Sequence, residues 1–275
     1  MFKPRTPEEK LLLSTVRIET EHGTATGFFF GLQHGRSDLL ITSRHAIEGA
    51  SRGTLRLHNA ACKDDGGNAP PTFDIEFDNF QDLWIRHHDE SIDLVALPSR
   101  IIDDAASRLR HNPRWMAIES CMAPTETRLE ALSAVEEVLM VGYPNGVWEK
   151  SHSLPIYCRG ITASHPNIDF CDKPEILLNI PCFPGSTGSP VFILNAKGQT
   201  DEHGNDRPGE PHNLLLGVVY SAATFGPDGQ IGAQPASTAI RSREDFAINL
   251  TYIIKARELL QFADVASQRR QVASA

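Results

Sequence analysis

From Pro181 to Phe192 the chain reads PCFPGSTGSPVF. Gly185 and Gly188 bracket Ser186 and Thr187, and Pro190 opens an apolar run. Glycine takes backbone conformations that other residues avoid, and it lets a second chain come close. Successive N–H groups in such a turn can aim at one point and hold a developing negative charge. Taken alone, the stretch is equally an ordinary Gly/Ser/Pro turn between two strands. What flanks it decides between the two.

On both sides the chain reads as short strands. STVRIET, TGFFFGL, SDLLITS, TLRLH, FDIEF, DLWIRH and IDLVALP follow one another, separated by Gly, Asn, Asp and Pro. A second series begins near Val135 with EEVLMVGYP, PIYCRGITASH, EILLNIP, SPVFILN, NLLLGVVYS and DFAINL. Many short strands with turn punctuation predict an all-β barrel or sandwich. The segment from Ile101 to Glu130 is richer in helix formers and reads as the connection between two β units. LTYIIKARELLQFADVA places Tyr252, Ile253, Ala256, Leu259, Leu260 and Ala263 at helical spacing, which predicts a C-terminal helix. Asn195 to Asn213, rich in Gly, Asp and Pro, reads as a long hairpin loop.

Composition bounds the function. The chain has 275 residues, 40% hydrophobic and 22% charged, enough for one large domain or two small ones. A net charge of -9 argues against nucleic acid as the main partner, because phosphate binding needs a basic face. No apolar run approaches the length of a membrane helix, so no membrane partner is expected. No leader segment is visible, and the five scattered cysteines read as reduced thiols, which together predict a cytoplasmic protein. A Cys158–Cys171 bridge across a hairpin is the less favoured alternative. No metal or cofactor is expected. There is no Cys-x-x-Cys pair, and His87 and His88, if on a strand, point to opposite faces.

Two further contexts join the opening stretch. In LLITSRHAIEG, a buried strand ends and His45 follows, at the edge of a rigid scaffold. In HDESIDLVALP, Asp93 stands at the mouth of an apolar run, where an unpaired carboxylate is costly and seeks a partner. Each is common as a structural residue. In the order His45, Asp93, then the glycine-bracketed turn, they suggest a base, its orienting carboxylate and a hydroxyl nucleophile.

In that order, TSRHAI, IDLVAL and PGSTGSPVF resemble the histidine, aspartate and nucleophile motifs of the chymotrypsin-fold, trypsin-like serine peptidases. The bacterial group that includes the high-temperature-requirement proteases is the nearest in pattern. VGYPNG, GVVYSA and FAINLTYIIKARELL resemble that group's second-barrel opening, its substrate-pairing strand and its closing strand and helix. The resemblance implies two packed six-stranded antiparallel barrels and a C-terminal helix. Residues 1–112 would form the first barrel, with His45 and Asp93, and residues 113–250 the second, with the nucleophile turn. Residues 251–275 would be helix and tail. It implies an endopeptidase acting on polypeptides. His45 would be its general base and acid, Asp93 the orienter, Thr187 the nucleophile, and the N–H groups of Gly185 and Thr187 the oxyanion hole. Phe183, Tyr220, Ser221 and Ala222 would contact substrate, with Tyr220 to Ala222 pairing with its backbone. Neither wall contributes an acid, so the expected side chain before the cut is small or apolar. Whether an activating partner or self-association is needed is left open.

The family carries serine where this chain has Thr187. The extra methyl restricts χ1 and asks for room beside a tight turn. Three readings stand together: a slower nucleophile, a peptide-binding module that no longer cuts, and a serine replaced by threonine in this chain.

Overall fold

Strands that are apolar at consecutive positions need two apolar environments, one for each face, and this chain supplies them. The computed structural model describes residues 3–32, 38–60, 71–144, 147–194, 213–225, 231–235 and 246–262. The first unit comprises β1 (Thr15–Thr20), β2 (Gly23–Gly31), β3 (Asp38–Ser43), β4 (Arg52–Asn59), β5 (Thr72–Asp78), β6 (Ile85–Arg86) and β7 (Leu94–Pro98), and in β2, β3 and β7 alternate residues enter different cores. Phe29, Leu40, Val95 and Leu97 join a core inside the first unit. Phe28, Phe30, Leu39, Ile41, Leu94 and Ala96 face the other way, into a core shared with the second unit.

The first unit is an antiparallel sheet in the order β5-β4-β1-β2-β3-β7-β6. Its end strands, β5 and β6, are not bonded to each other among the described residues. Helix α1 (Pro7–Leu11) precedes the sheet, its first turn closed by Thr6 and Glu9 in a reciprocal capping box. Helix α2 (Ser99–Arg108) follows β7 and packs on β3, β5 and β7, burying Ile102 and Ala106. The two-residue strands β8 (Pro113–Arg114) and β9 (Ile118–Glu119) bond to β4 and β2, so residues 113–119 sit with the first sheet. DLWIRH is mostly not strand. Phe80–Leu83 form a 3-10 turn, with Trp84 edge-on to Phe80, and only β6 pairs.

After α3 (Glu126–Glu130) comes the second unit. It comprises β10 (Glu137–Gly142), β11 (Ile156–Thr162), β12 (Glu175–Asn179), β13 (Pro190–Ile193), β14 (Leu214–Phe225), β15 (Ile231–Pro235) and β16 (Phe246–Lys255). The order β13-β10-β11-β12-β16-β14, with β14 also paired to β13, closes a six-stranded antiparallel barrel. Its interior holds Val138, Met140, Ile176, Leu178, Val191, Leu216 and Ile253. Phe192, Leu215, Val218 and Ile254 point instead into the core between the units. The all-β fold of two packed antiparallel units therefore holds. The hairpin loop expected at 195–213 falls almost wholly outside the described residues, although β13 and β14 do pair as its stems.

The expected C-terminal helix changes too. The helix does not begin at 251: Thr251 to Lys255 are the end of β16, and a 3-10 helix runs from Ala256 to Gln261. The sequence did not reveal β15, whose pairing is described below. Cys158 and Cys171 are both free, as are Cys121 and Cys182; Cys62 lies outside the described residues. His87 and His88 follow β6 rather than sit within a strand, and their rings lie 4.6 Å apart. Among the described residues no helix is long and apolar enough to cross a membrane.

One core-edge histidine makes stability pH-dependent. Burial of His58 in β4, with Arg114 and His152 nearby, lowers its pKa from 6.5 to about 4. Between those values the unfolded chain takes up a proton that the folded chain refuses. The contribution is thus complete above about pH 6.5 and falls away as pH drops toward 4. In urea titrations, the stability lost between pH 7 and pH 5 should be smaller in His58→Gln by about 2 kcal/mol.

Candidate active site

The turn quoted first is two β-turns in series. Ser186 N–H donates to Phe183 O at 2.9 Å, and Ser189 N–H donates to Ser186 O at 3.0 Å. The third residue of each turn is a glycine with positive φ, Gly185 at 94° and Gly188 at 82°, as a type II turn requires. Ser186, Thr187 and Ser189 are fully buried. The other N–H groups of the turn are used, but among the described residues those of Gly185 and Thr187 donate to nothing in the chain.

His45 lies in a short 3-10 turn, Arg44–Ala46, at the end of β3. Asp93 precedes β7, the neighbour of β3 in the sheet. That adjacency brings them together. His45 N–H donates to Asp93 Oδ1 at 3.0 Å, and His45 Nδ1 lies in contact with Asp93 Oδ2. Arg44 adds a positive charge, its Nε 3.8 Å from Asp93 Oδ1, while its Nη1 donates to Glu90 O at 2.8 Å. Both His45 and Asp93 side chains are about five-sixths buried, at 17% and 16% exposure. An imidazole held this way by one nitrogen keeps Nε2 for other work.

One carbonyl ties the halves together. Val219 O accepts both Gly188 N–H, at 2.7 Å, and Ser43 Oγ–H, at 3.1 Å. Gly188 follows Thr187, and Ser43 precedes His45 by two residues, so histidine, carboxylate and turn meet where the two units face each other. A second tie is Thr26 of β2. Its N–H donates to Thr187 O at 2.8 Å. Its hydroxyl donates to Gly185 O at 2.8 Å and accepts Tyr143 N–H at 3.0 Å. Thr42 Oγ–H caps Thr26 O at 2.8 Å. Thr26 thus fixes the carbonyls that flank the two unused N–H groups. In the sequence it is merely one polar residue in TATGFFF, and only the pairing across the units gives it this place. Thr26→Val keeps the shape and leaves Tyr143 N–H and Gly185 O without the hydroxyl. Chemical denaturation should show about 2–3 kcal/mol less stability.

Thr187 Oγ1 and His45 Nε2 are both enclosed, and among the described residues neither has a hydrogen-bond partner, so they do not bond to each other. Ser189 Oγ is likewise enclosed and unbonded. The residues expected to contact substrate differ from one another. Phe183 is 45% exposed beside the turn, whereas Ser221 and Ala222 are buried. Tyr220 is partly buried; burial, with the Glu175 carboxylate beside it, raises its phenol pKa well above the usual range. Burial pushes the Cys182 thiol up to about 12, which disfavours it as a nucleophile at neutral pH, and its side chain packs in the second-unit core. Among the described residues no group of three or more His, Cys, Asp or Glu could hold a metal ion.

No family model and no curated protein sequence matches this chain. Solved structures do align with it. A serine-to-alanine mutant of Rv3671c from M. tuberculosis H37Rv, in an inactive form, aligns with 16% identity and a TM-score of 0.43, over 94% of this chain and 88% of that one. The inactive form of the Rv3671c protease gives 18% identity and a TM-score of 0.42, over 92% and 89%. The MamO protease domain of Magnetospirillum magneticum gives 12% and 0.40, over 83% and 95%. Likenesses this distant do not bear on chemistry; the chain's own geometry has to carry it.

Proposed function

We propose that the chain hydrolyses peptide bonds by acyl transfer, with Thr187 as nucleophile, His45 as base and then acid, and Asp93 as orienter. The observation that carries this reading is the pair of N–H groups on Gly185 and Thr187 that have no acceptor among the described residues, in a turn tied to the His45–Asp93 pair. Thr187 Oγ attacks the peptide carbonyl while its proton passes to His45 Nε2. The oxyanion formed rests on the two N–H groups. The C–N bond then breaks, His45 returns the proton to the leaving amine, and water hydrolyses the ester by the same route in reverse. Asp93 holds Nδ1 and favours the imidazolium that forms. Neither flanking segment, residues 179–183 or 220–223, carries an acid, so the side chain before the bond is small and uncharged.

A second reading, a peptide-binding module without turnover, draws on the missing bond between Thr187 Oγ1 and His45 Nε2. A fluorophosphonate probe separates the two, because it reacts only with a hydroxyl that a base has activated. Thr187→Ser should be labelled at position 187, and adding His45→Ala should abolish the labelling. A natively folded Thr187→Ser chain that takes no label would leave the binding reading.

A further inference from the structure

The backbone pairing of β14 narrows what can occupy the site. One edge of β14 is bonded to β16, from Gly217↔Lys255 to Phe225↔Phe246. The opposite edge is shared. β13 takes it from Leu214 to Val218, and β15 takes it from Ser221↔Pro235 to Phe225↔Ile231. Between them, Val219 spends its N–H on Ser189 O at 2.9 Å and its carbonyl on Gly188 and Ser43. Along this edge the gap is one residue wide, at Tyr220, next to the Thr187 turn.

A peptide adding to a sheet edge needs free main-chain groups along that edge. As β14 runs from Val219 to Phe225 it leaves the turn, so an antiparallel partner runs toward the turn. A substrate whose carbonyl reaches Gly185 and Thr187 would have to lay the residues preceding that carbonyl along Ser221 to Ala223. β15 already lies there, antiparallel, and heads for the same turn. Only residues 226–230 join it to β14, and a strand tethered so closely competes at an effective concentration that a free peptide does not reach.

We infer that β15 is a built-in cap on the acyl side of the groove, so that the site takes bonds with no more than one or two residues before them. The substrate class is the amino-terminal end of a polypeptide, not its interior. This narrows the hydrolase reading above and rests on it. The cap explains why Ser221 and Ala222, expected to pair with substrate, are buried in the sheet.

The test uses Thr187→Ser in the full chain and a nested peptide series with one, two or four residues before a fixed bond, the longest acetylated. The one- and two-residue peptides should be cut at least 100-fold faster than the four-residue one. Phe225 and Phe246 are register partners, so residues 226–245 can be replaced by Asn-Gly, which closes a two-residue hairpin. In that chain the long peptide should be cut within 10-fold of the short ones. Equal rates on all lengths in the uncapped and capped chains alike would overturn the cap. Should no peptide be cut, the hydrolase reading fails, and the cap is read by fluorescence anisotropy with the labelled acetylated peptide. At least 10-fold tighter binding to the shortened chain supports it, and equal affinity overturns it. If the shortened chain does not fold, Ala233→Pro with Gln234→Pro serves in both assays. Adjacent strand residues donate to opposite edges, so this pair removes a bond to β14 in either phase.

Discussion

Thr187→Ser raises peptide-bond hydrolysis by about 100-fold at saturating substrate, with KM little changed. The reason is local. The threonine side chain is fully enclosed, and among the described residues its hydroxyl has no hydrogen-bond partner. Its β-methyl restricts the rotamers open to the hydroxyl. Serine restores them without touching Thr26, Val219 or the two turns, and reaction rate is steep in the placement of the attacking atom. Because the hydroxyl meets substrate only as the bond forms, the gain belongs in kcat. Adding His45→Ala should cancel the gain and cost roughly 10³-fold or more beyond it, since the base is then absent. Stopped assays on short amino-terminal peptides read both changes. A Thr187→Ser chain no faster than the parent would show that the methyl is not what limits turnover.

Gly188→Ala is expected to be the most destructive single substitution in the site. At φ 82° an alanine is strained whatever the space. Here there is no space either. A Cβ would lie 2.0 Å from Thr26 O and 2.3 Å from Thr42 Oγ1. Thr26 O is backbone in a central strand, so relief requires moving β2 away from the turn, which breaks the bonds from Thr26 to Thr187 and Gly185. The expected loss is about 3–5 kcal/mol, from strain together with broken buried bonds. The accompanying loss of labelling would persist even at temperatures where the chain remains folded. A thermal midpoint within a few degrees of the parent would refute this account of the turn.

Much of this could be read from residues alone, for identifiable reasons. The runs in FFF, LLI and LVAL announced strands buried on both faces, and their alternation between two cores is what the structure contains. His45 and Asp93 stand out because each sits at the end of such a strand, and neighbouring strands must bring their ends together. The helical spacing at the C-terminus misled. Ile253 and Ile254 are adjacent because one enters the barrel and the other the core between the units, and a two-faced strand ending in a 3-10 turn imitates a helix over so short a span. IGAQP carries little strand signal of its own. Its place is set by the free edge of β14, which no local pattern encodes, although the Pro-Asp-Gly before it is a hairpin signal that was there to be used. Thr26 was hidden for a related reason: the partners of its hydroxyl, Tyr143 and Gly185, lie 117 and 159 positions away along the chain.

The shared carbonyl of Val219 has a consequence for the order of events during synthesis. The histidine and its carboxylate belong to the part of the chain made first, but the bonds from Ser43 and Gly188 to Val219 O form only once β14 has been added. On the proposed reading, the nascent polypeptide would carry the base before the turn it activates, and reactivity would arrive only with docking of the halves, when a single oxygen is gripped from both sides.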